Sequence, residues 1–305
     1  NIISSSYLAN VLREDNRAII KGYSHKAETE ILGWVKSKLQ RLFGSHALRA
    51  YSSFGTEDVI AIKLSVSQKE KARDLFVDVM ERLVDKRAME NLIIRGVWVG
   101  DLIYDTYLRR FMKPTINLKD QEFQNFLLVS LELFIFWEDY FKYHDVRAVN
   151  VSHCAYNFAI PYRIAIVKNI PVYQVTTNHL YRMSEINYFA YNDFFYFREK
   201  FSTLPEDIKT FGLDRAHERI KRRFGGEVGV DMSYSTKSAW GPSKHGSLLS
   251  VSAKKKILVA THCFYDSPHG HGISIFPDFY EWLEFLGKMT EVTDYDWYLK
   301  THPDY

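Results

Sequence analysis

Four of the eleven histidines occupy one recurring position. His153 follows the run RAVNVS, His179 follows PVYQVTTN, His262 follows KILVAT and His302 follows WYLKT. Each run reads as a β-strand. Each imidazole is therefore expected just beyond the carboxyl end of a strand, the edge at which open α/β sheets bind their ligands. A histidine there can donate to a phosphate oxygen. The sharpest local signal is Lys300-Thr301-His302-Pro303. Pro303 biases His302 toward an extended backbone and so aims the ring out of the strand end, while Lys300 adds positive charge.

The loop Thr261–Gly272 (THCFYDSPHGHG) is equally rich. Its glycines let backbone N–H groups approach a ligand, and a helix start beyond it favours anions. The spacing of His262, Asp266, His269 and His271 matches no compact metal signature, and no metal is expected. Asp294-Tyr295-Asp296 has the form of an Asp-x-Asp metal motif, but it precedes a strand instead of ending one and reads as a turn. Candidate bases for a hydroxyl proton are Asp101, Asp105, Glu132 and His153. Asp101 and Asp105 are four apart, hence on one helical face, where paired carboxylates raise one pKa. The competing expectation makes Asp101 a helix cap after Gly100 and Asp105 a salt-bridge partner of Arg109. Arg163 is placed to bind an anionic acceptor.

These residues need an α/β scaffold. Arg17–Gly22 and Val59–Leu64 read as strands, with helices near His25–Phe43 (capped by Ser24) and from a Ser67 cap through Val84. The second of these shows an apolar face of Ala72, Leu75, Phe76, Val79, Met80, Leu83 and Val84. Gly100-Asp101 suggests a turn that opens a helix, and Pro114 closes that unit. A long aromatic helix is expected over Asp120–Tyr143, with Phe123, Phe126, Leu127, Leu131, Phe134, Trp137 and Phe141 on one face. Arg147–Ser152, a helix over Ala155–Lys168 that is bent or begun late at Pro161, and Pro171–Val175 form a βαβ crossover with parallel strands. A basic-ended helix follows over Pro205–Phe224. Strand Lys256–Ala260, helix Asp278–Lys288 and strand Asp296–Lys300 begin a second βαβ unit. The expected domains are 1–224, a Gly/Ser/Lys-rich linker over 225–255, and 256–305.

Of the 305 residues, 46% are hydrophobic, 25% charged and 15% aromatic, which excludes disordered, collagen-like and disulfide-scaffold classes. A formal net charge of +3 without clustering argues against a nucleic-acid binder. Two cysteines, Cys154 and Cys263, supply no disulfide framework and point to a reducing, cytoplasmic compartment. The basic end Arg215–Arg223 offers peripheral contact with an anionic membrane, against the plainer reading of a solvated face.

The runs ILVATHCFYDSPHGHG, FPDFYEWLEFLGK and YDWYLKTHPD resemble bacterial capsule and surface-polysaccharide biosynthesis proteins, as do VGDLIYDTYLRRF and AVNVSHCAY with PYRIAI and IPVYQV. The resemblance covers roughly Asn91–Tyr305. It implies a GT-B-like glycosyltransferase with two Rossmann-like domains facing a cleft. Such an enzyme is metal-independent and takes a nucleotide-sugar donor, most fittingly CMP-linked, and a glycan or lipid-linked glycan acceptor. A His-Pro element is shared with Kdo transferases, GT-B sialyltransferases and teichoic-type glycerophosphotransferases, where it contacts the donor phosphate; that carry-over rests on His302 and Pro303 alone. On this reading Asp101, Asp105 and His153 are catalytic. His262, Asp266, His269, Lys300, His302 and Pro303 bind donor, and Tyr156, Arg163 and His179 bind acceptor. A glycerophosphotransferase, an epimerase of the same fold and a non-catalytic glycan-binding or scaffold protein are the alternatives. The roughly 50 residues beyond the linker are too few for a nucleotide domain, so the second domain is expected to be incomplete and the chain alone to bind nucleotide weakly and turn over little or nothing.

Overall fold

The computed structural model describes residues 2–23, 51–176, 179–189, 197–231 and 249–301, with 236, 238 and 240. The expected helix near His25–Phe43, part of the 225–255 segment, and His302 with Pro303 lie outside the described residues. The fold is mixed α/β, helix-rich, with sheets of two or three strands among the described residues.

Two compact units make up the chain. One holds Asn1–Asn192, Ala260–Val292 and Lys300–Tyr305; the other holds Asp193–Val259 and Thr293–Leu299. Residues 260–292 thus fold with the amino-terminal segment, where the sequence reading places them with the carboxyl-terminal one.

In the larger unit, α1 (Ile2–Asn16) leads into β1 (Ile20–Gly22), which pairs in parallel with β2 (Thr56–Val59). The expected strand Val59–Leu64 is displaced toward the amino terminus. Its partner β1 ends at Gly22, where the Ile60 N–H donates to the Gly22 carbonyl and the ladder stops. α2 (Val66–Arg82) is capped by Ser65, not Ser67. The Ser65 side chain accepts from the Gln68 N–H while the Gln68 side chain accepts from the Ser65 N–H, a reciprocal capping box. α2 packs along α5 (Gln121–Tyr143), and all seven residues of the expected α5 face are buried.

Between them stand α3 (Lys86–Glu90), a hairpin of β3 (Ile93–Ile94) and β4 (Val97–Trp98), and α4 (Gly100–Phe111). The hairpin turns on Arg95 and Gly96, both at positive φ, the pairing a tight two-residue turn demands. Gly100 opens α4 where a side chain has no room: a Cβ there would lie 2.1 Å from the Met89 carbonyl oxygen.

The crossover is present as expected. β5 (Val149–Val151) and β6 (Val172–Val175) are parallel, joined by a 3-10 turn at Asn157–Ala159 and by α6 (Ile160–Val167), which carries Pro161 in its first turn. β7 (Leu180–Met183) adds an antiparallel edge strand to β6 that periodicity alone did not reveal. α7 (Phe197–Ser202) and α8 (Glu206–Phe224) belong to the smaller unit. β8 (Lys256–Ala260) and β9 (Asp296–Lys300) pair as expected, and α9 (Phe279–Val292) lies between them in sequence.

Because the atoms crowding Gly100 belong to backbone, they cannot swing aside. Gly100→Ala is expected to destabilise the protein by about 1–3 kcal/mol or more. An unchanged midpoint in urea unfolding would contradict this account of the α3–α4 junction.

Candidate functional site

α4 places its two carboxylates inward. Asp101 and Asp105 share one face, as their spacing predicts, but both are buried, 1% and 2% exposed. Neither caps the helix: the cap position is Val99, without a side-chain hydrogen bond. Asp101 accepts from Arg163 Nη2 at 2.8 Å. Arg163 is wholly buried, with its guanidinium carbon 4.2 Å from the ring centre of Tyr188, 4.7 Å from Trp98, 5.2 Å from Phe189 and 5.5 Å from Tyr162. Its Nε donates to the Tyr162 hydroxyl, which in turn donates to the Tyr188 carbonyl. Arg163 is therefore a structural cation in an aromatic cage, not an exposed acceptor ligand. Burial raises the Asp101 carboxyl to about 6, against the opposing pull of the Arg163 charge.

Asp105 does not pair with Arg109. Its Oδ1 lies 2.6 Å from His269 Nδ1, and its Oδ2 accepts from the His269 backbone N–H and from Ser267 Oγ. On the other side of the ring, His269 Nε2 lies 3.3 Å from Glu90 Oε1, an ion-pair distance without hydrogen-bond alignment. Burial alone would depress the imidazole. The Asp105 charge and hydrogen bond, with Glu90, outweigh it and raise His269 to about 10. At neutral pH the group is a buried imidazolium between two carboxylates. His269, 1% exposed, thus holds the Thr261–Asp278 segment on α3 and α4 and does not face a donor in solution. Asp278 completes the attachment. It accepts from Tyr104 and Thr115 hydroxyls at 2.5 Å each and from the Glu281 N–H at the start of α9.

At the surface above this interior, three residues that the sequence assigns to separate roles come together. Tyr156 donates to Asp266 Oδ1 at 2.8 Å, Arg109 Nη1 approaches the same oxygen at 3.4 Å, and the His153 ring centre is 6.1 Å from that of Tyr156. Tyr156 has φ 66° and ψ 172°, a region that side chains other than glycine avoid at a cost of about 1–3 kcal/mol. Its neighbours fix it there: the Asn157 N–H donates to Thr106 Oγ1, and the Ala159 N–H donates to the Tyr156 carbonyl. His153 Nδ1 accepts from the Ala155 N–H, which puts the proton of the neutral ring on Nε2. Burial lowers the His153 pKa, with Asp266 partly opposing, so the neutral form prevails at pH 7. Burial and the Asp266 hydrogen bond raise the Tyr156 phenol, which stays a donor. Phe158 and Tyr265 flank the group, with Arg109 5.7 Å from the Tyr265 ring centre. Arg109, Phe158 and Tyr265 have no place in the sequence-derived site. Arg109 reads there only as a helical salt-bridge partner.

His179 is exposed at the β6–β7 turn, where its carbonyl accepts from the Thr176 N–H, and its ring stacks on Tyr181. His262 is exposed, its Nδ1 near the Cys263 carbonyl, and its ring 5.5 Å from Phe279. Lys300 is exposed at the end of β9, and Glu132 is half-buried within α5. A groove of about 420 Å³ lies beside α2 and β3, but its cations are already matched: Lys71 to Asp139, Arg82 to Asp78 and Arg95 to Glu138. At the basic end of α8, Arg219 and Arg223 pair with Asp231 and Arg222 with Glu227. Among the described residues no cluster of His, Cys, Asp or Glu is placed to hold a metal ion, and no helix is long and apolar enough to cross a membrane.

The folded state holds the His269 proton more tightly than the unfolded chain, whose histidine titrates near 6.5. Its stabilising contribution is complete below about pH 6.5 and is lost as pH rises toward about 10. Urea midpoints measured across that window should fall for the wild type and stay flatter for His269→Gln; parallel profiles would contradict the buried imidazolium. Arg163→Ala should cost about 3–5 kcal/mol, because it leaves Asp101 buried and unpaired. A loss below about 1 kcal/mol in chemical denaturation would remove Arg163 from that role.

Compared with known protein families, with curated proteins and with solved structures, the chain matches none.

Proposed function

We propose that the chain is a glycosyltransferase of bacterial surface-polysaccharide assembly. It moves a sugar from a nucleotide-linked donor, CMP-linked in the reading that His302-Pro303 favours, onto a hydroxyl of a growing glycan. The fold proposed is the GT-B-like one, metal-independent, working in the cytoplasm with an acceptor that is free or lipid-linked. The observation that carries the reading is the meeting of Asp266, Tyr156 and His153 past the carboxyl end of β5, the sheet edge where α/β folds bind ligands.

In the proposed step, Asp266 takes the proton of the acceptor hydroxyl. The acceptor oxygen bonds to the anomeric carbon, the bond from that carbon to the nucleotide phosphate breaks, and the phosphate leaves with the electron pair. His153, protonated on Nε2, donates to an oxygen at the reacting centre, and Tyr156 and Arg109 orient Asp266. Asp101 and Asp105 act from beneath as supports. Their burial favours one other reading, a glycan-binding protein that does not turn over, since two of the expected catalytic carboxylates are closed to substrate.

With CMP-, UDP- and GDP-sugars and a polysaccharide acceptor, the full-length protein, with a complete nucleotide domain, should release nucleotide from one donor class. Asp266→Asn and His153→Ala should each lower that release by about 100-fold or more without shifting the melting temperature. Glycan binding with no nucleotide release from any donor would overturn the transferase reading and leave the non-catalytic one.

A further inference from the structure

The same patch has a charge pattern that selects among glycans; the inference rests on reading it as a sugar subsite and names the kind of sugar. The Asp266 side chain is 47% exposed and the Arg109 side chain 52% exposed, so both reach solvent while touching each other. A carboxylate only accepts hydrogen bonds and a guanidinium only donates them. Set side by side, they match two adjacent hydroxyls of a sugar ring, each of which donates and accepts. The half-buried rings of Tyr156, Phe158 and Tyr265 supply apolar faces for the C–H side of such a ring.

An anionic sugar fits less well. Its carboxylate or phosphate would be drawn to Arg109, but that guanidinium already serves Asp266, and the anion would then sit against the Asp266 charge. The interior below adds no compensation: Glu90 and Asp105 flank a single imidazolium, and Asp101 is matched by Arg163. The Tyr156 hydroxyl is likewise committed to Asp266. The strained backbone of Tyr156 is consistent with a ring held where a ligand needs it, since strain of this kind persists only where the surroundings enforce it.

We infer that the Arg109–Asp266–Tyr156 patch binds a neutral sugar through a vicinal hydroxyl pair and discriminates against uronic and other acidic sugars. The specificity belongs to this surface, whatever donor is used.

The test uses the full chain with methyl glycosides of glucose, galactose and mannose and with methyl glucuronide, binding being read by saturation-transfer NMR and titration. At least one neutral glycoside should bind saturably, about tenfold or more tighter than the glucuronide. Asp266→Asn removes the charged acceptor from the surface without touching the core. It should weaken the neutral glycoside by about tenfold, the loss expected for a hydrogen bond to a charged group, and should narrow the gap to the glucuronide. Glucuronide binding equal to or tighter than its neutral parent overturns the inference, as does an Asp266→Asn protein that binds as the wild type does. Neutral-glycoside binding without nucleotide release contradicts the transferase proposal and leaves this inference standing. Nucleotide release that prefers acidic acceptors contradicts this inference alone.

Discussion

The larger unit is organised around two carboxylates on one helix face. Asp101 and Asp105 project from α4 into the interior, where an unpaired charge would be costly enough to expel the helix. Each is met by a cation from distant sequence, Arg163 from α6 and His269 from the loop after β8. The pairing is mutual in its demands. Arg163 needs Asp101 because its aromatic cage offers π faces but few acceptors, and His269 needs both Asp105 and Glu90 to remain protonated out of water. Breaking either pair strands a buried charge, so the contacts fix which segments fold together more than they add net stability.

Much of the remaining structure follows from that constraint. The Thr261–Asp278 segment folds with residues 1–192 because His269 and Asp278 are both satisfied there, by Asp105 and Glu90 in one case and by Tyr104 and Thr115 in the other. Arg87 adds donations to the carbonyls of Ser274 and Ile275, and Lys86 pairs with Glu281 at the first turn of α9. Ser267 and His269 bind Asp105 one and three residues past Asp266, which sets that carboxylate against Tyr156 and Arg109. The surface patch is therefore the outer layer of an interior ionic network, and its geometry is inherited from residues that never meet solvent.

What the sequence displays is what repeats locally. The α5 face, the start of α4 at Gly100-Asp101, the parallel β5–β6 pair and the bounds of β8 and β9 are all legible from periodicity and from Gly or Pro punctuation. His153, Tyr156 and Asp266 are identifiable as chemistry-bearing residues, yet they fall to three different roles because nothing in their spacing brings them together. The Asp105–His269 pair spans 164 residues, and such a separation leaves no periodic trace. Arg163 misleads for a related reason. On a short helix its neighbours in sequence are apolar, and the cage that buries it comes mainly from Trp98, Tyr188 and Phe189, elements apart. Strand β7 escapes because LYRM alternates too briefly to register a two-residue period.

The claim that a buried ionic network on α4 organises the unit and its surface patch is tested most directly by the protonation state of one ring. Long-range nitrogen–proton NMR of the imidazoles at pH 8 should show His269 protonated on both nitrogens, its Nδ1 proton shifted downfield by the short hydrogen bond to Asp105. A neutral, singly protonated His269 at that pH, or a ring exchanging freely with solvent, would contradict the account.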